Sequence, residues 1–85
     1  MLAIQALAFI GQEPDRLSAF LAVTGLAPDR IRAAAREPSF LVGVLEHMLS
    51  DENLLIAFSQ SAGINPAEIA RASNILGRRW ERDLP

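Results

Sequence analysis

Two short stretches of the sequence nearly repeat one another: Thr24-Gly25-Leu26-Ala27-Pro28-Asp29 and Ala62-Gly63-Ile64-Asn65-Pro66-Ala67. Each reads as a corner between two helices. Gly25 and Gly63 take the left-handed conformation that closes a helix without a Cβ clash, and the apolar residue after each folds back onto the last turn. Pro28 and Pro66 suit a first helical position, where the missing N–H costs nothing and φ is already fixed. Asn65 adds a side-chain cap to the second copy. Helix, glycine corner, proline start, twice over, leaves little room for anything but an all-helical fold.

The spacing of the corners is the same for both landmarks, 38 positions (63−25 and 66−28). At that offset Leu7, Leu17, Ala19, Phe20, Ile31 and Ala34 recur as Leu45, Leu55, Ala57, Phe58, Ile69 and Ala72. The expectation is a compact bundle of about six short helices, with residues 1–38 and 39–77 as two similar three-helix halves. Apolar matches at helix spacing also arise by chance, whereas the matched glycine and proline within one turn favour duplication, by descent or by shared geometry. Neither half is large enough to bury its own apolar stripe, so the halves are expected to share one core about an approximate twofold axis. The small Ala19, Ala57, Ala34 and Ala72 would let helices approach closely.

In order, Leu2 to Ile10 is a helix with one polar residue, Gln5, and apolar positions all round. Glu13-Pro14-Asp15 opens a second helix, with Leu17, Phe20, Leu21 and Thr24 on one face. The third runs from Pro28 to about Glu37 and turns Arg30, Arg32 and Arg36 to water. Pro38 ends it. Ser39 caps a fourth helix carrying Phe40, Leu41, Val44, Leu45, Met48 and Leu49, expected to be central. Asp51-Glu52 opens a fifth, ending at Gly63, and Asn65-Pro66 a sixth, ending at Gly77. Residues 1–77 would then form a single helical domain, and 78–85 a charged tail with one tryptophan. The expected core is Leu7, Leu17, Phe20, Leu21, Ile31, Phe40, Leu41, Val44, Leu45, Met48, Leu54, Leu55, Phe58, Ile69 and Leu76.

Composition sets limits on function. The 85 residues include no cysteine, so neither a disulfide nor a thiolate metal site stabilises the chain. All eight basic residues are arginine and tyrosine is absent. Lysine-dependent Schiff-base chemistry, P-loops, thiol nucleophiles and phenolic acids are thereby excluded. A formal charge of -2 argues against general nucleic-acid binding. The 51% hydrophobic content is high for a small domain, which leaves much of its surface exposed. Surplus apolar surface in one patch marks a contact site. Met1 is followed by an apolar run without a basic region or a small-residue cleavage site, and the longest charge-free run, Asn53 to Ala67, is interrupted by Gly63 and Pro66. A cytoplasmic location is expected.

Four features are candidate sites. The only histidine, His47, precedes Asp51 by one helical turn and adjoins Glu46; this could begin a metal site or an acid–base pair, but Asp51 is already accounted for as a helix start. No cofactor or metal is expected. The serines at 18, 39, 50, 59, 61 and 73 lie in no nucleophile elbow, so catalysis of that kind, and enzymatic activity generally, is not expected. The corners can be read as helix-turn-helix elements, offering Arg30 and Arg32 after Asp29 in the first copy and Glu68 and Arg71 in the second, but the acidic net charge and the lack of an Asn/Gln/Arg cluster at a helix start favour plain corners. Arg71, Arg78, Arg79 and Arg82 gather around Trp80 as a candidate contact for an anionic ligand or nucleic acid. Alternatively, Trp80 closes one end of the core and the arginines are solvated.

The run Phe20 to Asp29, followed by Glu37-Pro38-Ser39-Phe40-Leu41 and by Asp51 to Phe58, resembles a family of short bacterial proteins catalogued only as a domain of unknown function. The likeness extends from about Leu2 to Leu76, and its most specific part is the TGL-x-P-D corner. It implies an all-helical intracellular protein and carries no functional residues with it. Members commonly have a few residues before the first helix; a start at Met1 leaves that helix uncapped, which points to an upstream native start. The residues themselves favour a non-enzymatic protein-interaction module, with a second copy or another protein meeting Leu2, Ile4, Leu7, Phe9 and Ile10. The alternative is a nucleic-acid-associated regulator acting through the corners or the Arg/Trp segment.

Overall fold

The computed structural model describes the backbone of residues 2–82 and the side chains of residues 2–77. Among them all regular structure is helical: α1 (Leu2–Gly11), α2 (Pro14–Thr24), a 3-10 turn (Pro28–Arg30) leading into the short α3 (Ile31–Ala34), α4 (Pro38–Ser50), α5 (Glu52–Ala62) and α6 (Pro66–Arg82). No helix among the described residues is long and apolar enough to cross a membrane.

Both corners form as the glycines require. Gly25 and Gly63 sit at φ 69° and 68°, and their N–H groups donate to the Leu21 and Ser59 carbonyls. The next bond differs between them. Ile64 N–H reaches back to the Ser59 carbonyl (3.0 Å). Leu26 N–H instead meets the Thr24 hydroxyl (3.3 Å), which donates to the Phe20 carbonyl (3.0 Å). Ala62 stands at Thr24's place in the second corner and has no hydroxyl to intervene. No heavy atom lies within 4 Å of a Cβ built on either glycine. The cost of Gly25→Ala or Gly63→Ala is therefore conformational, about 1–2 kcal/mol each by chemical denaturation.

The other helix starts follow local chemistry. Pro14 and Pro38 occupy first positions behind extended Glu13 and Glu37, so Ser39 lies inside α4 rather than capping it. Asp51 Oδ1 accepts from Leu54 N–H (3.2 Å) and Asn65 Oδ1 from Ala67 N–H (2.9 Å). The third helix is much shorter than its sequence suggests, and α6 is longer, passing through Gly77 to Arg82. A lone glycine costs a helix about 1 kcal/mol, too little to stop one held by packing.

α4 is the central helix, in contact with α1, α5 and α6, and its most extensive packing is against α6. The core contains Ala3, Ala6, Phe9 and Ile10 of α1, Phe20 of α2, Leu41, Val44, Leu45 and Met48 of α4, Leu54 and Phe58 of α5 and Ile69 of α6. Leu7, Leu17, Leu21, Phe40, Leu55 and Leu76 are half-buried against it. Ile31 does not join it. The extents are 37 × 30 × 18 Å, so the thin direction is less than two helix diameters of about 10–12 Å. A bundle this flat leaves most helices with an open face.

One pair of ring contacts joins positions that are 38 residues apart in the chain. Phe9 packs on Phe58 at 5.3 Å between ring centroids, and His47, which occupies Phe9's place in the second half, packs on Phe20, the counterpart of Phe58, at 5.1 Å. α2 and α5 are each 11 residues long and begin and end 38 positions apart. Elsewhere the halves differ. α4 is packed along α6, whereas α3, the counterpart of the start of α6, packs extensively on no other helix. Ser59, where the first half has Leu21, is buried with no hydrogen-bond partner for its hydroxyl among the described residues. Ser59→Ala should raise stability by about 1 kcal/mol in urea denaturation, since it removes a desolvated hydroxyl from a helix. A loss of stability would show that the hydroxyl is satisfied in solution.

Candidate functional site

An open groove of about 710 Å³ lies between α1 and the α3 segment. One wall is Ile4, Leu7 and Ala8; the other is Pro28, Ile31, Arg32 and Ala35. In the second half Leu45, Ile69 and Ser73 stand at the places of Leu7, Ile31 and Ala35, and all three are buried. Their counterparts here are only half-buried. Ile4, on the lip, is 40% exposed. The groove is therefore the unfilled version of a packed helix–helix contact, apolar inside, with one cation, Arg32, on its outer wall. α1 itself carries no charged side chain (Leu-Ala-Ile-Gln-Ala-Leu-Ala-Phe-Ile-Gly).

This divides the expected partner surface. Ile4 and Leu7 line the groove and Leu2 is half-buried against the core. Phe9 and Ile10 are not available, at 8% and 0% exposed. They point to the opposite side of α1, toward α4 and α5, because a helix apolar all round must place one face inward. Ile31, expected in the core, lines the groove instead. Ala35, expected to turn inward with Ile31, lines the groove with it, and Ala8 is the groove residue that sequence reasoning missed, because alanine carries no strong burial signal of its own.

The residues around His47 form a second, smaller site. A pocket of about 260 Å³ is lined by Arg16 and Ala19 of α2, His47 of α4, and Asp51, Asn53, Leu54 and Ala57 at the start of α5. Ala19 and Ala57 thus border a gap rather than a close helix contact. Glu46 points to solvent, and one oxygen of Asp51 caps α5. Among the described residues no group of three or more histidine, cysteine or acidic side chains is placed to hold a metal. Arg16, which sequence reasoning passed over, has its guanidinium carbon 4.3 Å from the centre of the Phe9 ring. The repeat could have flagged it, since its counterpart is Leu54.

The first corner lacks the geometry of a DNA reader, because the four-residue α3 and its 3-10 lead-in give no recognition helix to lay in a groove. The second leads into the 17-residue α6, whose first turn carries Glu68. Arg71 is exposed on α6. Arg78, Arg79, Trp80 and Arg82 follow on the same helix, with side chains outside the described residues.

No curated protein and no solved structure matches the chain. A family model described as "Protein of unknown function (DUF3572)" matches residues 1–79, nearly the whole sequence. The family carries no activity to transfer to the groove or to the pocket, and the match covers both. The chain belongs to the DUF3572 family.

Proposed function

We propose that this protein is a non-enzymatic interaction module of the cytoplasm whose contact surface is the α1–α3 groove, and that its partner is a second copy of itself. The observation that carries this reading is the contrast between the halves. The contact buried by α4 and α6 stands open between α1 and α3. Self-association is favoured over a different partner because groove and filler lie side by side on one face. Ile4 and Ala8 form the exposed α1 wall of the groove, so two copies related by a twofold axis can each lay that wall against the other's groove. The uncharged α1 meets its copy without like-charge repulsion. Such a contact needs no residue beyond those already exposed.

Light scattering after size exclusion, with the 260/280 nm absorbance ratio read across the peak, tests it. The expected result is a mass near twice the 9.2 kDa of the chain with a protein-like ratio. A single-chain mass at every concentration loaded would overturn the dimer. A single-chain peak enriched in nucleic acid would transfer the function to Arg71 and the basic residues after it.

A further inference from the structure

The pocket around Arg16 and His47 has features that packing does not require. Arg16 lays its guanidinium over Phe9, and His47 meets Phe20 edge to face, with 76° between the rings. Each polar group is thus held in place by an aromatic ring. Among the described residues the side-chain hydrogen bonds are made by Thr24, Ser50, Asp51 and Asn65, and neither Arg16 nor His47 takes part through its side chain. Arg16, His47 and Asn53 therefore line one concavity, and among the described residues no protein hydrogen bond engages their side chains. At the positions 38 residues away the chain has Leu54 and Phe9, both apolar and both buried, and these two border the site as well: Leu54 lines the pocket and Phe9 carries Arg16. Arg16 and His47 are thus the polar members of an otherwise apolar set.

The lining also limits the ligand. About 260 Å³ lies below the usual range for drug-sized ligands, so the occupant is small. A guanidinium offers a two-pronged donor that matches a carboxylate, and the imidazole N–H and Asn53 amide add further donors. Asp51 is the one acidic group on the wall. Its Oδ1 is engaged with Leu54 N–H, which leaves the second oxygen to accept from a ligand and to repel additional negative charge. The remaining surface is Ala19, Leu54 and Ala57. We propose that this pocket binds a small monocarboxylate carrying a hydroxyl or ammonium donor, the carboxylate on Arg16 and His47 and the donor on Asp51. This site is independent of the groove and of the dimer.

His47 is the only histidine, so its imidazole C–H resonances report on the pocket without assignment ambiguity. The full chain would be titrated with glycolate, acetate, inorganic phosphate and, as a salt control, chloride. Glycolate should shift the His47 resonances saturably. Acetate, which lacks the hydroxyl, should bind at least about tenfold more weakly. Arg16→Gln should weaken glycolate at least about tenfold. Asp51→Asn keeps a capping side chain and should remove the preference for glycolate over acetate even if Arg16→Gln proves poorly folded. No glycolate response, a response equal to that of chloride, or an unchanged preference in Asp51→Asn overturns the proposal. Tighter binding of phosphate than of glycolate overturns the carboxylate assignment.

Discussion

Phe20→Ala should cost about 3–5 kcal/mol of stability. Phe20 is 0% exposed and is the only fully buried residue of α2. Its ring meets Phe40 at 5.9 Å and His47 at 5.1 Å, both edge to face, so the variant loses burial and two oriented ring contacts. Leu17 and Leu21 of the same helix are only half-buried, so Phe20 is the main anchor of α2 on the core. A chain of this length carries roughly 4–13 kcal/mol in total. The loss should therefore lower Tm by roughly 12–40 °C and bring the variant close to unfolding at ordinary temperatures. Differential scanning calorimetry with urea denaturation measures it. Phe58→Ala, at the matching place in the second half, should behave alike; a cost below about 1 kcal/mol for Phe20→Ala would mean that α2 is not docked as described.

Ile4→Asp should abolish the proposed pairing of two copies while leaving the fold intact. Ile4 is 40% exposed at the groove lip, so in the single chain an aspartate there keeps its hydration and costs little. In a twofold contact the same change buries two carboxylates opposite apolar walls, and dimerisation should weaken by more than about 100-fold. Val23→Asp is the matched control: at 74% exposed, and away from the groove, it should leave the mass unchanged. Equilibrium sedimentation and far-UV circular dichroism on the three proteins separate association from folding. If Ile4→Asp dimerises as the parent does, the α1–α3 groove is not the interface.

Much of the fold was legible because it is written in residues with strong local preferences. Gly25 and Gly63 closed α2 and α5, Pro14 and Pro66 opened helices, and Asp51 and Asn65 capped them, each at the expected place. The broad apolar face of α4 identified it as the central helix. The errors fell where local preference was weak. α1 gave no amphipathic pattern, so its buried face (Ala3, Ala6, Phe9, Ile10) could not be told from its open one (Ile4, Leu7, Ala8). Gly77 reads as a helix end because glycine disfavours a helix interior, but its cost of about 1 kcal/mol does not end α6, which runs on to Arg82.

The candidate sites were legible only in part for the same reason. His47 and Asp51 stood out by type and spacing, but Arg16 reaches their pocket from α2, and nothing near it in sequence announces that. Ile31 has the spacing of a core residue and the counterpart of one in Ile69. It is left in the groove because the helix it begins is four residues long and finds no neighbour to pack on.

The sequence by itself determined the helical class, the two left-handed corners, the repeat offset and the exclusion of lysine, thiol and phenol chemistry, since each depends on single residues or short spacings. The tertiary structure decided which face of α1 is buried, which half closes its helix–helix contact, and which distant side chains share a pocket. Those outcomes depend on how helices compete for a limited core. In a bundle only 18 Å thick there is not enough interior to cover every apolar face, and only the packing shows which one remains open.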